Sequence, residues 1–119
     1  MSENSPYTKS IQLARKIWPD LVILAERRAT ISYQALGEQH GISGRALRSM
    51  GNILDPIKRY CQQYNLPQLN ALVVRKDSEL PGAGAEADES DIEEVFAFNW
   101  RSRSPLIPSE AELFEAMQK

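Results

Sequence analysis

The chain has 119 residues, 42% of them apolar and 25% charged, enough for one ordinary domain with its own core and too little for two. Fourteen Lys and Arg against sixteen Asp and Glu leave a net charge of −2, which excludes a histone-like or polybasic binder. One cysteine, Cys61, excludes an internal disulfide, and one histidine, His40, excludes a His-rich metal site.

Residues 7–28 predict a helix, with Ile11, Ala14, Trp18, Leu21 and Ala25 as one apolar stripe. Pro19 falls inside it and predicts a kink or the start of a second helix. Leu21 to Ala25, the longest aliphatic run, is far short of the roughly 20 residues a membrane span needs. Met1 to Pro6 lacks a basic stretch followed by an apolar one, so no signal peptide is expected. The expectation is a cytoplasmic protein with no membrane partner.

Residues 32–40 predict a short helix capped by Thr30 or Ser32, with Leu36 inward. Ser43 is placed to cap a longer helix from about Gly44 to Asn65. Leu47, Met50, Ile53, Leu54, Ile57 and Cys61 form its stripe, and Pro56 predicts a break near Asp55. Leu69–Val74 is a strand candidate, Lys76–Ser78 a turn, and Pro81–Ala85 a breaker run that marks a boundary. Asp91–Trp100 leans to helix. Arg101–Pro108 is a loop with two prolines. Ser109 and Glu112 have capping-box spacing before a last helix over Glu110–Met117. The fold class is therefore mainly α: a helix-turn-helix, winged-helix-like body over residues 1–84 with a short β wing, and an acidic linker and C-terminal helical extension over 85–119.

Charge follows the same division. Residues 1–80 hold 11 basic against 7 acidic side chains, a balance of +4, and residues 81–119 hold 3 against 9, a balance of −6. A solvated linker and helix face accounts for most such runs; a nucleic-acid face with an acidic arm is the sharper alternative.

The stretch from Ser32 to Arg48 has helix-turn-helix spacing. Gly37 is small where two helices cross, Gly41 permits a left-handed turn, Ile42 plugs that turn into the core, and Ser43 starts the second helix. That geometry presents the N-terminal face of the second helix to a major groove. Arg45, Arg48, Ser49 and Asn52 have side chains suited to base edges or phosphates. Arg75 and Lys76, on the wing, are suited to the phosphate backbone. The same arrangement also serves as a pure packing unit.

Thr30-Ile31-Ser32-Tyr33-Gln34-Ala35-Leu36, Gly41, Arg45 to Leu54, Leu66-Pro67, Ala71 to Val74 and Leu80-Pro81-Gly82 together resemble the DNA-binding domain of the O6-alkylguanine-DNA alkyltransferases. The likeness to their non-catalytic alkyltransferase-like relatives is greater. It covers about residues 28–84. It implies a winged helix-turn-helix that enters the minor groove and flips a base. Tyr33 matches the tyrosine that crowds the target phosphate, and Arg48 the arginine that takes the place of the flipped base. Asn70 stands at the position of the reactive cysteine. Alkyl transfer needs a thiolate, so the resemblance implies duplex-DNA binding without transferase activity, with no catalytic residue and no cofactor.

Other candidates have bland alternatives. Cys61 reads as a small buried hydrophobe, and His40 as a solvent-facing helix cap without a carboxylate partner. Trp18 and Trp100 read as core anchors. Tyr60 and Tyr64, near Lys58 and Arg59, read as the rim of the core rather than a stacking face. Asp88–Glu94 lacks calcium-loop spacing. Arg101 and Arg103 suit either a phosphate contact or a polar loop. The rival to DNA binding is a protein-interaction module, such as an immunity protein, an inhibitor or an accessory subunit, in which the acidic residues 86–100 make the contact.

Overall fold

A computed structural model describes residues 8–82 and 85–118. Tyr7, expected at the start of the first helix, and Ala83 and Gly84 of the breaker run lie outside the described residues. The elements in chain order are α1 (Thr8–Glu26), β1 (Ile31–Ser32), α2 (Tyr33–Gln39), a 3-10 turn (Gly44–Ser49), α3 (Met50–Gln63), a 3-10 turn (Leu69–Leu72), β2 (Val73–Val74), α4 (Glu89–Ala97), a 3-10 turn (Trp100–Ser102) and α5 (Glu110–Met117). The fold is mainly α, with a small two-stranded parallel sheet.

α1 runs through Pro19 without a second start. An interior proline costs a helix about 3 kcal/mol. Trp18, Leu21 and Val22 on either side are 1%, 0% and 8% exposed, and each such buried side chain contributes roughly 1.5–3 kcal/mol. Burial therefore outweighs the broken bond, and the expected division does not occur. α3 likewise passes through the buried Pro56 as one helix.

Three helices end in the same way. In α2, Ile42 N donates to Gly37 O at 2.7 Å and Gly41 N to Glu38 O at 3.4 Å. Gly41 holds φ +73, so this is a Schellman ending with glycine in the left-handed position. α1 and α3 repeat it with Arg28 and Asn65 at positive φ. Gly37 is required by close approach: a Cβ there would lie 2.6 Å from Leu47 Cδ1 and 2.7 Å from the Ile42 carbonyl oxygen. Ile42 is buried, as the helix-turn-helix reading expects.

The second helix departs from expectation. Ser43 makes no side-chain cap, Gly44 sits at φ +58, and Gly44–Ser49 is a 3-10 turn; the α-helix begins only at Met50. The wing is also shorter than expected. Leu69–Leu72 is a 3-10 turn with all four side chains buried, and only Val73 and Val74 extend, pairing in parallel with Ile31 and Ser32. The partner strand stops there because Ser32 is already the N-cap of α2, its Oγ accepting from Ala35 N at 3.0 Å. One antiparallel bridge, Val74 to Pro81, closes the loop over 75–80.

One core joins both parts of the chain. Ile92, Val95, Trp100, Leu113 and Ala116 bury in the same cluster as the apolar faces of α1 and α3. Trp18 stands edge-on to Tyr60 at 5.7 Å and to Trp100 at 5.9 Å, a geometry that favours aromatic pairs. Tyr60 is fully buried, whereas Tyr64 is exposed. α4 opens with a capping box between Asp88 and Asp91, and α5 with the expected one between Ser109 and Glu112.

Surface ion pairs also link the C-terminal part to the rest of the chain. Arg101 grips Glu26 through two nitrogens at 2.7 and 3.0 Å, and this hydrogen bonding lowers the Glu26 pKa from its ordinary 4.5. Lys58, 2.8 Å from Glu86, lowers that carboxylate in the same way. A carboxylate whose folded pKa is depressed stabilises above its unfolded pKa and loses that contribution as pH falls through the folded value. The urea midpoint is therefore expected to be flat near neutrality and to fall below about pH 4.5. Glu26→Gln should flatten part of that fall, as urea titrations across the acid range will show; an identical acid limb would mean that the Arg101 pair contributes nothing.

Candidate functional site

Ser32 caps α2 and so places Tyr33 at its first helical position. The Tyr33 hydroxyl accepts a hydrogen bond from Gly82 N at 3.3 Å, where the loop after β2 returns. Across from it lies the first half of α3. Between them is a cavity of about 410 Å³ lined by Tyr33, Gly51, Asn52, Leu54, Asp55, Lys58, Asn70 and Ala85. Of the residues expected from sequence, Tyr33 and Asn52 meet in this wall. Arg45, Arg48 and Ser49 lie on the exposed turn immediately before it, and the Ser49 hydroxyl donates to Ala46 O at 2.6 Å. Arg75 and Lys76 are exposed on the loop that ends at Pro81. They share with the site only the return of that loop to Tyr33.

Charge pairing separates these cations. Arg75 pairs with Asp77 at 3.2 Å. Lys58 bridges Asp55 and Glu86. Burial pushes the Lys58 ammonium down, but the hydrogen bonds it donates to Glu86 and Asp55 outweigh this, so its pKa is raised from 10.5. Arg28 pairs with Glu93, Arg59 with Asp55, and Arg101 with Glu26. Arg45, Arg48 and Lys76 have no carboxylate partner among the described residues.

Asn70 is 2% exposed and is the one polar side chain in the buried set of the described residues. Its Nδ2 donates to Ala85 O at 3.4 Å, close to the limit of a hydrogen bond, and its Oδ1 has no partner among the described residues. An unmet buried acceptor costs about 1–3 kcal/mol. Cys61 does not reach the cavity. It is fully buried, and loss of solvation pushes its thiol up to about 12, so it stays protonated at neutral pH. A thiol-specific disulfide reagent at pH 8 is expected to leave the native protein unmodified and to titrate one thiol after denaturation. Rapid native reaction would contradict the burial.

Several sequence expectations are corrected here. His40 has a carboxylate partner: its Nε2 lies 2.7 Å from Asp20 Oδ2, tying the end of α2 to α1. Residues 20 positions apart gave no local signal of this. Arg101 and Arg103 are not free for phosphate, since Arg103 Nη2 donates to the Tyr60 hydroxyl at 2.9 Å and Arg101 holds Glu26. The acidic run is not merely a solvated face: Asp88 and Asp91 cap α4, Glu86 binds Lys58 and Glu93 binds Arg28. Gly51, Leu54, Asp55 and Lys58 were missed as site residues. Leu54 belongs to the apolar stripe, and Gly51, Asp55 and Lys58 adjoin it at helical spacing, a flank of α3 that the stronger stripe hides in the sequence. Among the described residues no cluster of three or more His, Cys, Asp or Glu is placed to hold a metal ion, and no helix is long and apolar enough to cross a membrane.

Comparison with family models, with curated proteins and with solved structures finds no match to this chain.

Proposed function

We propose that the chain is a small non-enzymatic DNA-binding protein of winged-helix type, similar to the alkyltransferase-like proteins. The turn Gly44–Ser49 and the first turn of α3 form its contact face. The observation that carries this reading is the placing of Arg45 and Arg48 together on one exposed turn of the helix-turn-helix with no carboxylate partner among the described residues, beside the exposed Ser49 and Asn52; Lys9, Lys16 and Arg27, on α1 and just after it, are also exposed and without a carboxylate partner but lie outside that motif. Unpaired arginines keep their full charge for phosphates and base edges. Ser49 and Asn52 flank them. Lys76 offers a further phosphate contact, and Arg75 a weaker one because Asp77 already holds it. On the alkyltransferase-like reading, Tyr33 faces the backbone of the target nucleotide and Arg48 enters the stack.

The rival reading, a protein-interaction module using residues 86–100, draws less support. Glu86, Asp88, Asp91 and Glu93 already have partners within the chain. A salt titration with a labelled duplex tests the choice. Binding at about 50 mM salt with a shallow salt slope is expected, as few phosphate contacts imply. No binding at that salt would sink the DNA reading.

A further inference from the structure

We propose that the outer face of α1 and the apolar groove beside it dock a partner protein, through an acidic segment that carries one large aliphatic side chain. This goes beyond the duplex-binding reading and shares no residue with its contact face.

Charge sets the sign of the partner. Lys9, Lys16, Ile23 and Arg27 are exposed and follow one another at spacings of 7, 7 and 4 residues. At 3.6 residues per turn they stand in a single row about 27 Å long. The three cations have no carboxylate partner among the described residues. Glu26 beside them is neutralised by Arg101. Asp20, which lies against His40, is the one negative charge left on this side of α1, so the row keeps a balance of +2. Arg15 and Glu110, in the cleft next to Lys16, offset one another. A positive row on a chain of net charge −2 is complementary to an acidic segment.

The groove supplies the anchor. It encloses about 190 Å³ between Pro19, Val22 and Ile23 of α1 and Trp100, Leu106 and Ile107 of the segment that follows α4. Ile23 is 40% and Leu106 52% exposed, so each side leaves a large aliphatic side chain in water. Ile23 belongs to both the groove and the cationic row. The segment is tied to α1 at both ends: Arg15 Nε donates to Pro108 O at 2.9 Å, and Arg101 holds Glu26. The groove therefore exists before any partner arrives. An apolar patch with a charged rim marks a protein contact, and a preformed pocket takes one anchoring side chain. A phosphate backbone has no aliphatic group to fill the groove. A notch between two elements also suits a single side chain better than a lipid surface.

An extended chain rises about 3.4 Å per residue, so about eight residues match the row. The probe is a peptide of that length, glutamates around one central leucine, titrated into the full chain at low salt up to about 1 mM. Trp18 and Trp100 are the two tryptophans of the chain and both border the groove, so their fluorescence reports its filling. The Ile23 backbone amide, followed by NMR, locates it. A fluorescence change that fades as salt is raised is expected. Alanine in place of the leucine should weaken binding about tenfold, and a peptide with lysines for glutamates should not bind. Ile23→Glu should lose the peptide with the melting temperature kept, because the side chain is exposed. Lys16→Gln with Arg27→Gln should weaken the peptide about tenfold and leave the duplex affinity of the wild type unchanged. No response to the acidic peptide, an equal response to the lysine peptide, or full binding by Ile23→Glu would overturn the proposal. So would loss of duplex binding in Lys16→Gln with Arg27→Gln, which would make the face a phosphate contact. Binding to anionic vesicles in place of the peptide, or a dimer that Ile23→Glu dissociates, would likewise replace the partner with a membrane or a second copy.

Discussion

The double substitution Arg45→Ala, Arg48→Ala is expected to weaken duplex binding by about 1–3 kcal/mol for each side chain that makes a direct contact. It should leave stability within about 0.5 kcal/mol, because both residues are exposed. The reasoning is electrostatic. Each phosphate contact contributes a slope of roughly −0.9 to the plot of log affinity against log salt. Loss of two such contacts should therefore flatten the plot by about two units. Loss of two base contacts should instead lower affinity with less change of slope and relax sequence preference. Lys76→Ala should add a smaller, sequence-independent loss, and Arg75→Ala a smaller one still, since Asp77 already neutralises it. Unchanged affinity and slope in the double variant would remove the contact face and favour the protein-interaction reading. Shortening the chain is no substitute for these variants. Residues 86–119 supply Ile92, Val95, Trp100, Leu113 and Ala116 to the core, so their removal would expose the faces of α1 and α3. Glu89→Gln with Glu94→Gln tests the acidic arm without that damage.

Trp18→Ala is expected to cost about 3–5 kcal/mol, the range for deleting a large buried aromatic side chain. Trp18 is 1% exposed and is the shared member of two edge-on aromatic pairs, each worth about 0.5–1.5 kcal/mol beyond area burial. Domains of this size have total stabilities of only about 5–15 kcal/mol. The variant should therefore melt far below the wild type or lose cooperative unfolding. Trp18→Phe should cost less, because it keeps much of the packing and removes an indole N–H that has no partner among the described residues. Urea unfolding followed by circular dichroism checks both. An unchanged midpoint for Trp18→Ala would mean that Tyr60 and Trp100 do not depend on it.

Local patterns were legible where neighbours in sequence are neighbours in space. The stripe of α1, the inward Leu36, the Gly41 ending, the Ile42 plug and the capping box at Ser109 and Glu112 rest on contacts within five residues. Apolar periodicity likewise marked Trp18, Cys61 and Trp100 as core. Five features depended on longer reach. Pro19 and Pro56 are carried through their helices by burial against other elements. The strand expected over Leu69–Val74 shrank to two residues because its partner ends at the Ser32 cap. The helix expected from about Gly44 starts six residues later, at Met50, after Gly44 takes a positive φ. His40 found Asp20, and Arg101 found Glu26 75 residues away.

The cavity shows the same division most clearly. Composition, periodicity and turn chemistry determined a mainly helical domain with a helix-turn-helix spacing and a cationic turn. They also placed Tyr33 and Asn52 on adjoining elements. Only the tertiary structure decided that Asn70 would stand buried beside them with an unmet acceptor, and that Asp55 and Lys58 would complete the wall. The physical reason is range. Backbone preferences and helix periodicity act over a few residues, whereas a cavity is made by chains that meet after 15 to 50 residues, and its chemistry depends on which polar atoms that meeting leaves unpaired.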